Sequence, residues 1–550
     1  MAITHVSRVT FGRRRPNGFV ITAIGAALCV ALPVLVVLGF MLFSTSESWS
    51  HLVETVLWRY ILHSVLLSVT VAIGVVMIGV PAAWLISFYA FPGRRLLSWL
   101  LLLPMAYPAY ILAYTYTGLL DYSGPVLTWM RNIDAPTWVM WPLLEIRSIP
   151  GAAVMLSLVL YPYVYLLARA AFLEQAANVM EAGYSLGQTR SQVFLRVVIP
   201  MARPAIVAGT LLAVMETLAD YGTVEFFGVQ TFTTGIVRTF YGLRDTAGAA
   251  QLASILLGFV ALLVILERLS RRKIQYYSDQ NRRLSRLAVT LTGWRAIFAM
   301  VLCAAPMMLG FALPTAVLGY WTLFYAEGGA LWSLTLNSFV LAGIASLVVV
   351  GVALVIAYAN RLYPAPWLSN VTTVIGLGYA LPGVVVAIGV LIPFGALDQW
   401  LSRGLMAFGV EPRLWISGSI GLLIFAYTVR FLAVANGNLV SGLSRIRPSL
   451  DHSGRLLGRT QSQVLRQIHV PLMRGSVLTA ILICFVDVLK ELPATLILRP
   501  FDFNTLAVRV YDLAGDERLI DAAPASLMII AVGLLPVILL NRSVHAANHD

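Results

Sequence analysis

Apolar residues run through this chain in long unbroken blocks, without the i, i+3, i+4 stripes of a surface helix or the alternation of a half-buried strand. The blocks cover about 19–43, 61–90, 96–120, 150–173, 201–219 and 247–267, then about 293–318, 335–359, 367–394, 414–435, 473–489 and 521–540. Most are long enough to cross a hydrocarbon core of roughly 30 Å, which takes about 20 helical residues. Barrel strands alternate over about ten residues, so these uniform runs exclude a barrel. The pattern predicts an all-α polytopic membrane protein with about twelve transmembrane helices.

Composition agrees with that reading. Of 550 residues, 59% are hydrophobic and only 11% charged, with a mean hydropathy of +0.83. A soluble chain of this size carries roughly 25% charged residues. The net charge of +13 would suit nucleic acid, but the basic residues fall in the gaps between apolar runs, so no nucleic-acid partner is expected. Cys29, Cys303 and Cys484 stand singly inside apolar runs, which argues against disulfides and thiolate metal sites. The run from Phe19 to Phe43 is too long for a signal-peptide core and is expected to be a retained first span.

Charge placement sets the expected orientation. Arg13, Arg14 and Arg15 precede the first span, and Arg268, Arg271, Arg272, Lys273, Arg282, Arg283 and Arg286 crowd the gap after the sixth. Positive-inside bias puts both termini and the 268–292 linker in the cytoplasm, with that linker at anionic headgroups.

The chain also repeats itself. Glu181-Ala-Gly-Tyr-Ser-Leu-Gly187 leads to Pro200, and His452-Ser-Gly-Arg-Leu-Leu-Gly458 leads to Pro471, at a constant offset of 271 residues. Thr189/Thr460, Ser191/Ser462, Gln192/Gln463 and Val193/Val464 coincide in register. Leu62-His63-Ser64 matches Leu336-Asn337-Ser338, and Pro108 matches Pro382, at an offset of 274. Residues 1–267 and 293–550 thus form two six-span repeats joined by the basic linker, with polar loops at about 174–200 and 445–471. Both repeats start on the same side, so they are parallel and related by an axis along the membrane normal.

The chain has no phosphate-binding GxxxxGK[ST] loop. Its two lysines, Lys273 and Lys490, follow no glycine-rich turn, so ATP and magnesium are expected on a partner. No catalytic constellation can be assembled, and the chain is not expected to be an enzyme. The repeated segment resembles the "EAA" loop of permease subunits of binding-protein-dependent ABC importers, through Glu181, Ala182, Gly187, Ile199 and Pro200. Gly183 replaces the second alanine of that pattern, and the second copy keeps Gly458, Val470 and Pro471 but has His452, Ser453 and Gly454 where the family has Glu-Ala-Ala. The resemblance implies the type I permease fold. It makes Glu181, Ala182, Gly183, Gly187, Pro200, His452, Gly454, Gly458 and Pro471 the residues that couple to the ATPase. Two copies of an ATP-binding subunit and an extracytoplasmic binding protein are the implied partners, in the inner membrane of a bacterium.

Phe227–Ile236 and the stretch Lys490-Glu-Leu-Pro-Ala-Thr-Leu496 look like those of fused ferric-iron permeases, which implies ferric iron and an iron-binding protein. Related permeases for thiamine share the plan. Independently, Glu216 and Asp220 lie four apart, and Asp487 and Glu491 repeat them at offset 271. On helices each pair would share a face. Carboxylates inside a span usually face a cavity or a partner, and these four, with Tyr221, would suit a hard, oxygen-seeking cation in transit. A structural role, with Lys490 paired to Asp487 or Glu491 or the carboxylates hydrogen-bonded near helix ends, is the competing expectation. Tyr107, Tyr110, Tyr114 and Tyr116 are expected in an interfacial aromatic belt. A secondary transporter or channel without an ATPase is the rival class, and it has no use for two matched polar helices.

Overall fold

The computed structural model describes residues 18–546 apart from 45, 186, 272–288, 326–330, 364, 407, 410 and 412–413. Most of the basic linker and the Arg13–Arg15 run therefore lie outside the described residues. The membrane-crossing helices are α1 (Gly18–Phe43), α2 (Leu57–Phe88), α3 (Ala109–Leu120), α4 (Ile149–Ser185), α5 (Ile199–Ala219) and α6 (Thr246–Arg271). They continue as α7 (Trp294–Phe324), α8 (Leu331–Leu362), α9 (Gly383–Met406), α10 (Ile420–Ser444), α11 (Arg474–Lys490) and α12 (Leu519–Ala546). Among the described residues ten helices are long and apolar enough to cross a membrane on their own, and twelve spans result when each of two bent pairs is taken as one.

The departures from the expected spans have local causes. The third span is broken, with Arg94–Ala106 and Ala109–Asn132 meeting at 92°. Its counterpart divides into Pro366–Leu377, a short 3-10 turn and α9. Pro108 and Pro382 stand at these breaks, where a missing N–H and a bulky ring stop the preceding helix. Wide turns with i→i−5 hydrogen bonds occupy Phe194–Val198, Met308–Ala312 and Leu465–His469. Each lies two residues ahead of a proline (Pro200, Pro314 or Pro471), whose ring would otherwise strike the carbonyl four residues back.

The halves match at equivalent helix starts. The helix Phe232–Tyr241 starts with its Phe232 N–H on Ser64 Oγ at 3.2 Å; Leu506–Gly515 starts with Leu506 N–H on Ser338 Oγ at 2.7 Å. The first helix of each half packs on its own half and also reaches the other: α1 lies against α6 and α9, where a Cβ on Gly389 would meet Pro33 O at 2.6 Å. Reciprocally, Gly310 of α7 sits against Leu158 O and Pro104 of the first half. Small residues permit these approaches, the usual basis of helix association without a hydrophobic drive. Leu28, Leu35, Val69, Met77, Leu347 and Leu478 point outward into lipid.

The tyrosines of α3 and the break before it do not form a belt. Tyr107 bonds Thr315 Oγ1 at 3.0 Å, Tyr114 bonds Ser526, and Tyr116 donates to Leu309 O at 2.7 Å. All three reach from the first half to the second and lie buried. The belt expectation is corrected: these three hydroxyls have partners on α7 or α12 and serve the seam between halves, while Tyr110 is buried beside the central cavity with no hydrogen-bond partner for its hydroxyl among the described residues.

Candidate functional site

Two regions carry the polar residues singled out above, a cavity at the seam and the repeated segments at one end of the bundle. The cavity, about 380 Å³, is lined by both halves, with Glu216, Asp220, Tyr221, Asp487 and Glu491 all on its wall. It shares Tyr221 with a groove at one end of the seam, and Ile483 and Pro536 with a second cavity beside the repeated segment at the other. The central cavity and the groove are lined by both halves, the second cavity by the second half alone.

The four carboxylates divide by role. Helix α5 stops at Ala219 and α11 at Lys490, so Asp220 and Glu491 lie beyond the helix ends in extended backbone. The expectation that each pair shares a helix face is corrected by that ending. Asp220 accepts from Thr223 N and Val224 N at 3.0 and 3.2 Å, and from Thr223 Oγ1 at 3.0 Å. Glu491 accepts from Ala494 N, Thr495 N and Thr495 Oγ1 at 3.0 to 3.2 Å. Each carboxylate thus caps the short helix that follows, Gly222–Phe226 or Pro493–Leu498, where free amides and the helix dipole favour an anion. Glu491 also pairs with Arg430 at 2.6 Å, not with Lys490.

The other two face open space. Glu216 accepts from Tyr379 Oη at 3.0 Å, a bond from the second half to the first. Asp487, its counterpart, has no hydrogen bond or ion pair among the described residues. Lys490 Nζ donates to Met105 O across the seam at 3.0 Å. Tyr221 bonds Tyr511 Oη at 3.0 Å, also across the seam. Among the described residues no three His, Cys, Asp or Glu side chains are gathered as a metal-ligand set. Arg430, Tyr379 and Tyr163, all on the cavity wall, went unnoticed in the sequence because single polar residues in apolar runs carry no periodic signal.

The repeated segments fold alike. Glu181, Ala182 and Gly183 lie on the end of α4, with side chains outside the described set; the second copy forms a separate helix, Ser449–Leu456, which holds His452 and Gly454. Gly187 and Gly458 both take left-handed backbone, φ +74° and +75°, which glycine adopts without a Cβ clash. A capping box follows each. Thr189 N–H donates to Gln192 Oε1 at 2.9 Å and Gln192 N–H to Thr189 Oγ1 at 3.4 Å; Thr460 and Gln463 repeat this at 2.9 and 3.3 Å. Thr-x-x-Gln is a legible capping signature that the sequence reading passed over. The wide turn and Pro200 or Pro471 then complete each unit.

The anchoring differs between copies. Near the first, Trp84 stacks on Phe194 with ring centroids 3.7 Å apart and lies 6.1 Å from Phe172. At the second, Arg361 bonds Asp451 at 2.7 Å and Ile446 O at 2.9 Å, while His469 Nε2 meets Asp451 Oδ1 at 2.7 Å. Burial raises the Asp451 carboxyl, but Arg361 and His469 outweigh it and hold the group below its ordinary range. Gly454 has no room for a side chain, since a Cβ would meet Val464 Cγ2 at 2.9 Å. Beyond this anchor Leu456 and Leu457 stand 88% and 81% exposed in an otherwise polar segment, apolar knobs free to enter a partner's groove.

Residues 75–276 match the family described as "Binding-protein-dependent transport system inner membrane component". Over 541 residues the chain is 25% identical to an Fe(3+)-transport system permease protein of Haemophilus influenzae, covering 96% of this chain and 99% of that protein. A sulfate transport system permease protein of Escherichia coli is 29% identical over 262 residues, 46% of this chain and 92% of that protein. A spermidine/putrescine transport system permease protein of Salmonella typhimurium is 25% identical over 286 residues, 48% of this chain and 97% of that protein. The latter two are about half as long as this chain, in keeping with its internal repeat.

Proposed function

We propose that this chain, which belongs to the family of inner-membrane components of binding-protein-dependent transport systems, is the permease of an ATP-driven importer of ferric iron. The observation that carries the reading is the repeated unit itself: a left-handed glycine, a capping box, a wide turn and a proline, built twice at one end of a two-half bundle. Two like levers suit two copies of one ATP-binding subunit, which holds the ATP and magnesium; this chain binds neither.

In this reading the repeated segments and both termini are cytoplasmic, and an extracytoplasmic iron-binding protein docks at the opposite end. Residues 1–267 and 293–550 act as the two rocking bodies. Closure of the ATPases pushes on the segments around Gly187 and Gly458, and the levers transmit that movement to α5 and α11 through the prolines. The seam bonds Tyr379–Glu216 and Lys490–Met105 break as the halves rock, which opens the cavity to one side at a time. Cargo then passes Glu216 and Asp487. The coupling residues carry force and the carboxylates carry charge.

A small organic cation, thiamine or another solute of that class, is the second cargo reading. It is favoured by the lack of any three-ligand metal set among the described residues and by the tyrosines on the cavity wall. Reconstitution in liposomes with the neighbouring ATPase and binding protein separates the two. Uptake of ferric iron that needs ATP and both partners supports the proposal; uptake of an organic cation in its place removes the iron assignment, and uptake by this chain alone removes the importer assignment.

A further inference from the structure

Lys490 has no part in the caps or the levers. It is the last residue of α11, it lines the central cavity, and its ammonium reaches Met105 O of the opposite half at 3.0 Å. The other cavity charges are largely committed: Arg430 to Glu491, and Asp220 and Glu491 to helix starts. Two acids and one base remain, Glu216, Asp487 and Lys490. Asp487 lies three residues before Lys490, on the same side of α11. Glu216 and Asp487 line the same cavity as Lys490. At the equivalent position of the first half, offset 271, stands Ala219, so the ammonium is supplied once for the pair.

Two carboxylates facing a cavity within a membrane are costly unless balanced, and any small cation that wets the cavity would balance them. A path so lined would leak sodium, potassium or protons down their gradients. We infer that Lys490 is the built-in counter-ion of the cargo path: its ammonium occupies the Glu216–Asp487 field while cargo is absent and so excludes small cations. Lysine suits the task, as a compact charge on a flexible four-carbon stem. The Met105 carbonyl gives it a docking point on the far wall, and a more highly charged cargo displaces it from the acids. This rests on the reading of the cavity as the cargo path.

The test is passive flux through proteoliposomes holding the full transporter, without ATP or iron. Sodium-22 efflux is measured for the unaltered protein, K490Q, K490M, K490R and the double variant D487N/K490Q. The expected result is efflux at least about tenfold faster for K490Q and K490M, unchanged for K490R, and restored to the parental rate in the double variant, which removes acid and base together. Parental tightness in K490Q and K490M overturns the inference. A double variant as leaky as K490Q also overturns it, because Lys490 would then be only a strut to Met105. Neither iron nor ATP enters the assay, so a wrong cargo assignment leaves its outcome intact.

Discussion

Tyr379, on the short turn ahead of Pro382, donates its hydroxyl to Glu216 of α5 at 3.0 Å and so ties the second half to the first inside the central cavity. Repeat symmetry puts Met105 at the matching place in the first half, at offset 274, and a methionine side chain has no donor for Asp487. The two-fold arrangement is therefore broken at its centre, with one acid bonded and its twin open.

Removing the Tyr379 hydroxyl should loosen the resting state. A hydrogen bond to a charged group contributes about 1.5–3 kcal/mol, so Tyr379→Phe is expected to raise ATPase turnover without binding protein by about tenfold. An unchanged basal rate would detach this bond from the gating.

The carboxylates should separate by role. Asp220→Ser keeps a capping oxygen and is expected to preserve transport, whereas Asp220→Ala destabilises by about 1 kcal/mol and lowers the melting temperature. Asp487→Asn is expected to leave the melting temperature within about 1 °C of the parent and to reduce uptake by at least about tenfold. Comparable transport losses for Asp220→Ser and Asp487→Asn would contradict this division.

The glycine turns of the levers test backbone conformation directly. Nothing in this chain lies within 4 Å of a Cβ on Gly187 or Gly458, so within the chain substitution there acts through φ. Gly458→Val is expected to be strained by about 1–2 kcal/mol and to lower transport per ATP hydrolysed, with Gly458→Asn, which tolerates left-handed backbone, close to the parent. Equal coupling in both variants would remove the conformational explanation.

The second lever should respond to acid. The Asp451 carboxyl is held below its ordinary value near 3.8, so its stabilisation is fully present above that pH and is lost as pH falls through the lowered value. Asp451→Asn leaves Arg361 without its acid and is expected to destabilise by about 2 kcal/mol, less than a fully buried pair would. Thermal unfolding in detergent between pH 3 and 7 should show the variant's deficit near neutrality and its shrinkage below pH 4. A deficit that is independent of pH would contradict the ion network.

Much of this architecture was legible in the chain. Uniform apolar runs report helix spans because every residue on a lipid-facing or tightly packed helix is apolar, and a 271-residue echo reports duplication without any fold knowledge. The repeat also located Glu216 and Asp487. What stayed hidden depends on neighbours remote in sequence. That Arg430 would meet Glu491 from 61 residues away, and that Tyr107, Tyr114 and Tyr116 would cross the seam, are outcomes of packing. The reach of α1 and α7 into opposite halves likewise has no trace in the pattern, since both faces of each helix are apolar.

The central claim is that the two repeated segments are levers facing the cytoplasm and an ATP-binding partner. In a background with Cys29, Cys303 and Cys484 replaced, single cysteines at the equivalent positions Gln188 and Arg459 should react with a membrane-impermeant maleimide only from the cytoplasmic side. Each should also cross-link to the ATPase in the assembled complex. Labelling of either from outside, or cross-linking of neither, would contradict the account.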